Sequence, residues 1–276
     1  MSYPQRRRRF RSIEGGAQEQ EALDALKAQH APQLPWAEFR SRFDWKQSEH
    51  VALIGPNGSG KTNCLISILP ERDYIVMLAT KPRDRTLDEL IDHNEFDLYY
   101  DWHDIPCDRS PRRIIWPDAT DLDADRVQQE VFTRTLRAVY NEGNWCLVID
   151  EGYFVATDLK LGPRMRKFWT QARSLDVSFV VGTQRPSWVP KEMYSESTHI
   201  FLWSMVEKDD VSRVSALGRA NVDLVRAIIP TLEPHQFLYV NTRTGALYRS
   251  YAPFSVVKDE DDTNTTEDKS PGGEVG

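Results

Sequence analysis

Three observations predict an α/β chain with a mostly parallel central sheet and helices on both faces. The first is the apolar run Val51-Ala52-Leu53-Ile54, which leads directly into Gly55-Pro56-Asn57-Gly58-Ser59-Gly60-Lys61-Thr62, a match to G-x-x-x-x-G-K-[ST]. The second is the buried-strand pattern Trp145-Cys146-Leu147-Val148-Ile149, which ends in the acids Asp150 and Glu151. The third is the alternation of short apolar runs with longer stretches of helical period along most of the chain.

Taken in order, residues 1–16 are a basic arm with five arginines (Arg6, Arg7, Arg8, Arg9 and Arg11) against Glu14, and are expected to be a flexible solvated segment. Residues 17–48 form an N-terminal helical and aromatic segment. A helix over Ala17 to Gln29 sets Leu23 and Leu26 on one side and is closed by Pro32 and Pro35. Trp36, Phe39, Phe43 and Trp45 follow at near-helical spacing. They are expected to pack this segment on the core, and Trp45, just before the loop strand, is the one to weigh for stacking on adenine.

Residues 49–257 are the nucleotide-binding core. After the loop and its helix (Cys64 to Leu69), the pattern predicts a strand over Asp73 to Ala79, a helix over Thr86 to Asp92, and a strand over Arg113 to Trp116 between Pro111 and Pro117. A long amphipathic helix, Asp123 to Asn141, leads into the acidic strand. Helix Pro163 to Ser174, strand Val177 to Gly182, strand His199 to Trp203 and helix Lys208 to Leu217 come next. Gln236 to Arg249, with Thr244-Gly245 in the middle, reads as a C-terminal β-hairpin. Residues 258–276 carry seven acids and two lysines with little apolar content, and are expected to be a disordered acidic tail.

The loop is a site for a nucleoside triphosphate. Its glycines let backbone N–H groups turn inward onto the β-phosphate, Lys61 reaches the β/γ oxygens, and the Thr62 hydroxyl is placed for Mg²⁺. Gly55, Pro56, Asn57, Gly58, Ser59, Gly60, Lys61, Thr62 and Asn63 are thus the candidate ATP contacts, with Thr62 and Asp150 holding the metal. A carboxylate at the tip of a central parallel strand lies beside such a loop, because ligands collect outside the carboxyl ends of the strands. Glu151 is then placed to orient or deprotonate the attacking water. Gln184, at the end of the following strand, falls between loop and acids if those strands are neighbours, within reach of the γ-phosphate.

The net charge of −7 excludes a strongly basic nucleic-acid module, and no apolar stretch approaches the ~20 residues of a membrane span. With no signal-peptide core at the N-terminus, the chain is expected in the cytoplasm. The cysteines Cys64, Cys107 and Cys146 are widely spaced and fit neither a disulfide framework nor a zinc site.

Ala172-Arg173-Ser174-Leu175-Asp176-Val177, an apolar strand and then Thr183-Gln184-Arg185-Pro186-Ser187, taken with the loop and the Asp150-Glu151 pair, resemble the matching blocks of FtsK/HerA-type DNA translocases, including viral genome-packaging ATPases and similar phage-encoded proteins. The resemblance covers roughly residues 49–251. It implies a RecA-like P-loop NTPase fold and a Mg-dependent ATPase acting as a homo-oligomeric ring on DNA, with a phage or host protein as a further partner and, for a phage protein, the host cytoplasm as its location. It also implies roles: Lys61 and Thr62 on phosphate and Mg²⁺, Asp150 the metal acid, Glu151 the catalytic base, Gln184 the sensor, and Arg173 a finger reaching a neighbour's γ-phosphate. For Arg173, a charge favourable to a helix C-terminus is the alternative.

The resemblance has departures. Asn57-Gly58-Ser59 also resembles the loop of transporter-type ATPases, but Asn141-Glu142-Gly143-Asn144 stands where their Leu-Ser-Gly-Gly-Gln signature belongs. The membrane segments and winged-helix DNA reader of chromosome translocases are missing, so DNA contact falls to the core, the tails or a ring channel gathering Arg164, Arg166, Lys167 or Arg185. An ATPase that remodels or exports protein, and a slow nucleotide-dependent switch, remain the alternatives.

Overall fold

The computed structural model describes residues 22, 24–27, 29–106, 111–118, 120–121, 124–205, 210 and 220–253. The basic arm, the acidic tail, Leu23, Cys107 and, except for Asp210, the helix expected over Lys208 to Leu217 lie outside the described residues. In chain order the elements are α1 (Trp36–Arg42), β1 (Val51–Ile54), α2 (Lys61–Ile68), β2 (Ile75–Leu78), α3 (Arg85–Asp92), β3 (Asp97–Tyr99), β4 (Arg112–Ile115), α4 (Asp125–Glu142), β5 (Cys146–Ile149), α5 (Gly162–Gln171), β6 (Ser178–Thr183), α6 (Glu192–Ser195), β7 (His199–Trp203), α7 (Val222–Ile228), β8 (Gln236–Asn241) and β9 (Leu247–Tyr251).

The nine strands form one sheet in the order β3-β4-β2-β5-β6-β1-β7-β8-β9. From β3 to β7 every pairing is parallel, and the C-terminal hairpin β8-β9 adds two antiparallel strands. Strands β1, β2, β5, β6 and β7 are buried at every residue, as expected of parallel strands covered on both faces. Alternate side chains feed two cores. Ala52, Ile54, Leu147 and Ile149 pack beneath Phe132 and Leu136 of α4, Phe168 and Trp169 of α5 and Val225 of α7. On the other face Val51, Leu53, Cys146 and Val148 meet Leu65 and Ile68 of α2, Leu87 and Leu90 of α3, and the aromatics of α1.

The aromatic segment packs rather than binds. Phe39, fully buried, lies 5.2 to 5.9 Å between ring centroids from Phe43, Phe201, Phe237, Tyr239 and Trp36, a contribution of about 2 to 3 kcal/mol for its burial alone. Trp45 is no adenine platform. It precedes β1 and therefore sits at the amino end of the sheet, where its indole N–H donates to the Glu49 carbonyl at 2.9 Å and the Arg72 guanidinium lies 4.2 Å from its ring. The helix before it is present at residues 22, 24–27 and 29–30, but Leu26 is 45 % exposed instead of packed.

Two more expectations change. The basic helix ends at Gln171, and a 3₁₀ turn, Ala172–Leu175, closes on Asp176 at φ +54° before β6 begins. Strand β3 and helix α7 carry no sequence expectation at all. At the far edge of the sheet, residues 31–34 run alongside β9: Leu34 N–H donates to the Arg249 carbonyl at 2.8 Å, Arg249 N–H to the Pro32 carbonyl at 2.9 Å, and the Ser250 hydroxyl to the Leu34 carbonyl at 2.8 Å.

Candidate nucleotide site

Four neighbouring strands, β1, β6, β5 and β2, deliver their carboxyl ends to one cavity of about 590 Å³. It is lined by the loop residues Asn57 to Asn63 except Ser59, by Thr80-Lys81-Pro82 after β2, Asp150 and Glu151 after β5, Gln184 after β6, and His235 before β8. The loop geometry needs its glycines. Gly60 stands at φ +96° as the residue preceding α2, and a Cβ on Gly55 would come within 2.6 Å of the Trp203 Cβ. No side chain caps α2, so its first N–H groups face the cavity as anion donors.

Lys61 is buried, and its ammonium donates to the loop's own carbonyls, Gly55 at 2.9 Å and Pro56 at 2.8 Å. Burial pulls its pKa down, against the opposing pull of Asp150 and Glu151. Thr62 Oγ1 lies 3.4 Å from both oxygens of Asp150. A hydroxyl and a carboxylate facing one another suit a hard, oxygen-seeking ion such as Mg²⁺, which commonly takes one or two carboxylates and completes its shell with water and phosphate oxygens. Among the described residues no three His, Cys, Asp or Glu cluster to hold a metal by themselves.

Glu151 is held by one oxygen and open at the other. Gln184 Nε2 donates to Oε2 at 3.1 Å, while Oε1 is buried without a hydrogen-bond partner. Burial raises the pKa of this carboxyl, and the neighbouring Asp150 adds to the rise over the opposing influence of Lys61. Such a group accepts a proton more readily than an ordinary glutamate. Gln184 occupies the expected place between loop and acids because β6 lies between β1 and β5.

Arg173 is not brought to this cavity. It lies in the turn before β6, toward the amino ends of the strands, is exposed, and donates to the Glu196 carbonyl at 3.2 Å.

Sequence reasoning missed several residues here. Gly182 lets β6 pass close to β5: a Cβ there would meet the Asp150 carbonyl oxygen at 2.4 Å. Lys81 donates to Asp84 at 2.9 Å and to Asp150 at 3.4 Å. Burial disfavours its charge, but those two carboxylates raise its pKa on balance. His235 reaches the loop, with its ring Nδ1 3.7 Å from where a Gly60 Cβ would stand. Only the Thr-Gln at the end of β6 hinted at any of this, because the others arise from pairings that a linear pattern does not show.

No family model matches the chain. By sequence it is similar to the DNA packaging ATPase P9 of Enterobacteria phage PRD1, at 24% identity over 197 residues, covering 69% of this chain and 81% of P9. It also matches the GTPase Era of Thermoanaerobacter sp. (strain X514) at 25% identity, covering 67% of this chain but 54% of Era. By structure it is similar to the genome packaging NTPase B204 of Sulfolobus turreted icosahedral virus 2 in complex with sulfate, at TM-score 0.57 and 16% identity, over 76% of this chain and 98% of B204. VirB4 of Thermoanaerobacter pseudethanolicus aligns at TM-score 0.57 and 10% identity, over 75% of this chain and 90% of VirB4. The fold and the order of the motifs along it are those of a P-loop NTPase, and the chain is similar in sequence and in fold to viral genome-packaging ATPases.

Proposed function

We propose that the protein is a Mg²⁺-dependent ATPase that works as an oligomer to move DNA, in phage genome packaging or a related process. One observation carries the reading: a half-buried glutamate with a buried, unpartnered oxygen stands beside a hydroxyl-carboxylate pair and the loop lysine, at four adjacent strand ends. That constellation is suited to in-line attack of water on a terminal phosphate. The α2 N–H groups and Lys61 hold the phosphates, Thr62 and Asp150 hold the ion that neutralises them, Glu151 takes the proton from water, and Gln184 orients Glu151. Bound Mg²⁺ supplies charge neutralisation at the leaving and transferred groups.

The DNA assignment is supported by the likeness to P9 and B204, described as a DNA packaging ATPase and a genome packaging NTPase. The complexes of B204 with AMPPCP and ATP-gammaS support adenine nucleotides as ligands, and the weaker match to Era makes GTP the competitor to include. Phosphate release from ATP and GTP, with and without Mg²⁺, duplex DNA and single-stranded DNA, tests the reading while light scattering follows assembly. ATP hydrolysis that rises with DNA on an assembled form is expected. Hydrolysis indifferent to DNA but raised by a protein partner would favour a protein-remodelling ATPase.

A ring of such subunits gives Arg173 a role that its own cavity does not, reaching a neighbour's γ-phosphate. Arg173→Ala is expected to keep nucleotide binding and lose hydrolysis on the order of a thousandfold. Mixing it with Glu151→Gln should restore some turnover, since a Glu151→Gln subunit still lends its Arg173 to a neighbour with an intact base. Co-assembly without rescue would leave Arg173 as a charge at a helix end.

A further inference from the structure

The cavity holds two lysines, and the phosphate-loop pattern accounts for one. Lys81 follows β2, the strand beyond β5 when counted from the loop, so it stands on the wall opposite Asn57 to Gly60. Its backbone is fixed: Trp116 Nε1 donates to its carbonyl at 2.8 Å, and Gln128 Nε2 donates to the Thr80 carbonyl at 3.1 Å. Its side chain is 52 % exposed, with the ammonium resting between Asp84 and Asp150. The root is therefore held while the head is free to turn.

The resting position conflicts with a metal. Lys81 Nζ lies 3.4 Å from Asp150 Oδ2, and Thr62 Oγ1 lies at the same 3.4 Å from that oxygen. A divalent ion placed between Thr62 and Asp150 repels the ammonium at that range. Lys81 then has two directions open, outward with Asp84 or inward over the cavity. A phosphate chain that begins on the α2 N-terminus and extends past Gln184 toward β5 brings only its terminal group near the β2 wall. The inward position also meets a need for charge, because Mg²⁺ leaves a nucleoside triphosphate net negative beside Asp150 and Glu151.

We propose that Lys81 is a second phosphate-binding lysine, which leaves Asp150 when Mg²⁺ arrives and binds the third phosphate of the nucleotide from the wall opposite Lys61. This deepens the proposed ATPase reading and rests on the nucleotide occupying this cavity. Lys81 thereby makes the site sensitive to a triphosphate over a diphosphate, and Asp84 is the anchor that competes for it. Asp84 also accepts the Thr86 N–H at 3.1 Å as the N-cap of α3, a job that asparagine performs as well.

Calorimetric titration of the full chain with Mg-AMPPCP and with Mg-ADP tests this without turnover. Lys81→Met should weaken AMPPCP binding on the order of tenfold to a hundredfold, the worth of one charge-assisted hydrogen bond, and shift ADP binding by no more than about twofold. Lys81→Arg should keep most of the preference. Asp84→Asn, which frees the lysine and preserves the cap, should tighten AMPPCP binding a few-fold. Equal losses for both nucleotides in Lys81→Met, or no loss for either, would overturn the proposal. So would Asp84→Asn and Lys81→Met moving AMPPCP affinity in the same direction, the signature of a merely structural ion pair. Wild-type protein that binds neither nucleotide would remove the nucleotide reading itself, an outcome the unmodified chain reveals before any variant is made.

Discussion

Glu49, which is buried, and Glu151, which is half-buried with one buried oxygen, sit at opposite ends of the sheet and show what desolvation does with and without partners. Glu49, before β1, has both oxygens engaged: Oε1 accepts from Arg243 at 2.7 Å, and Oε2 accepts from the Lys46 N–H at 3.0 Å and contacts His199 Nε2 at 2.9 Å. His199 in turn meets the Tyr239 hydroxyl at 2.8 Å. Burial works to raise the Glu49 pKa, but the bonds from His199 and Lys46 and the charge of Arg243 outweigh it and hold the carboxyl at about 2. Glu151 is also desolvated, but has one amide as its side-chain partner, and its pKa moves the other way. Partners turn a buried acid into a fixed anion, and their scarcity turns it into a base. Burial of His199 lowers its own pKa, so the ring is a neutral link.

The comparison breaks most visibly at Glu151. Glu151→Gln keeps the side chain's shape and place but cannot take a proton, so single-turnover hydrolysis should fall about 10²- to 10⁴-fold with nucleotide affinity retained. Equal loss of affinity and rate would make Glu151 a structural residue like Glu49. Lys61→Ala removes the cation proposed to hold the phosphates, and a loss of about 10²- to 10³-fold in kcat/KM is expected, with a melting temperature no lower than wild type. An unfolded variant would show that the loop contacts of Lys61 are structural.

Glu49→Ala should do the reverse. It strands the buried His199 ring nitrogen and is expected to cost about 2 to 3 kcal/mol in denaturant unfolding, while nucleotide affinity stays within twofold. A variant as stable as wild type would mean the network adds nothing net. The smallest effects lie in the pH profiles. Glu49 has a folded pKa below its ordinary 4.5, so its stabilisation is complete above that value and fades as pH falls toward about 2. Glu151 has a raised pKa, so turnover should fall on an acid limb centred above 4.5, where Glu49 still supports the fold. An acid limb of kcat that tracks unfolding would erase the distinction.

Much of this was legible in the chain because it is local. Strand His199–Trp203 is met at both ends, and β1, β2, β4, β5 and β6 lie within two residues of their predicted positions, since continuous apolar runs between turn residues leave little freedom. The loop, Asp150, Glu151 and the placement of Gln184 followed from motif and strand order. Strand β3 was invisible because its three residues are exposed or half-buried and carry no apolar run. Lys81 looks like any lysine in a turn until β2 pairs with β5. Glu49 and His199 are 150 residues apart, and only the adjacency of β1 and β7 brings them together. Trp45 packs as the sequence predicts for the aromatic segment, and the alternative of stacking on adenine fails because nearness in sequence to the loop says nothing about which end of a strand a residue occupies.

The pairing of residues 31–34 with β9 sets an order on the protein's birth. Leu34 and Ser250 are joined across 216 residues, and Ala31 and Arg249 across 218, so the first of these segments to leave the ribosome waits more than two hundred residues for the second. During synthesis the early segment must remain unpaired while the strands between it and β9 emerge, and the sheet edge closes only once β9 has emerged. A nascent chain stopped before residue 247 has the whole phosphate loop but no edge strand for residues 31–34 to join. Emergence of β9 and closure of that edge are thus one event.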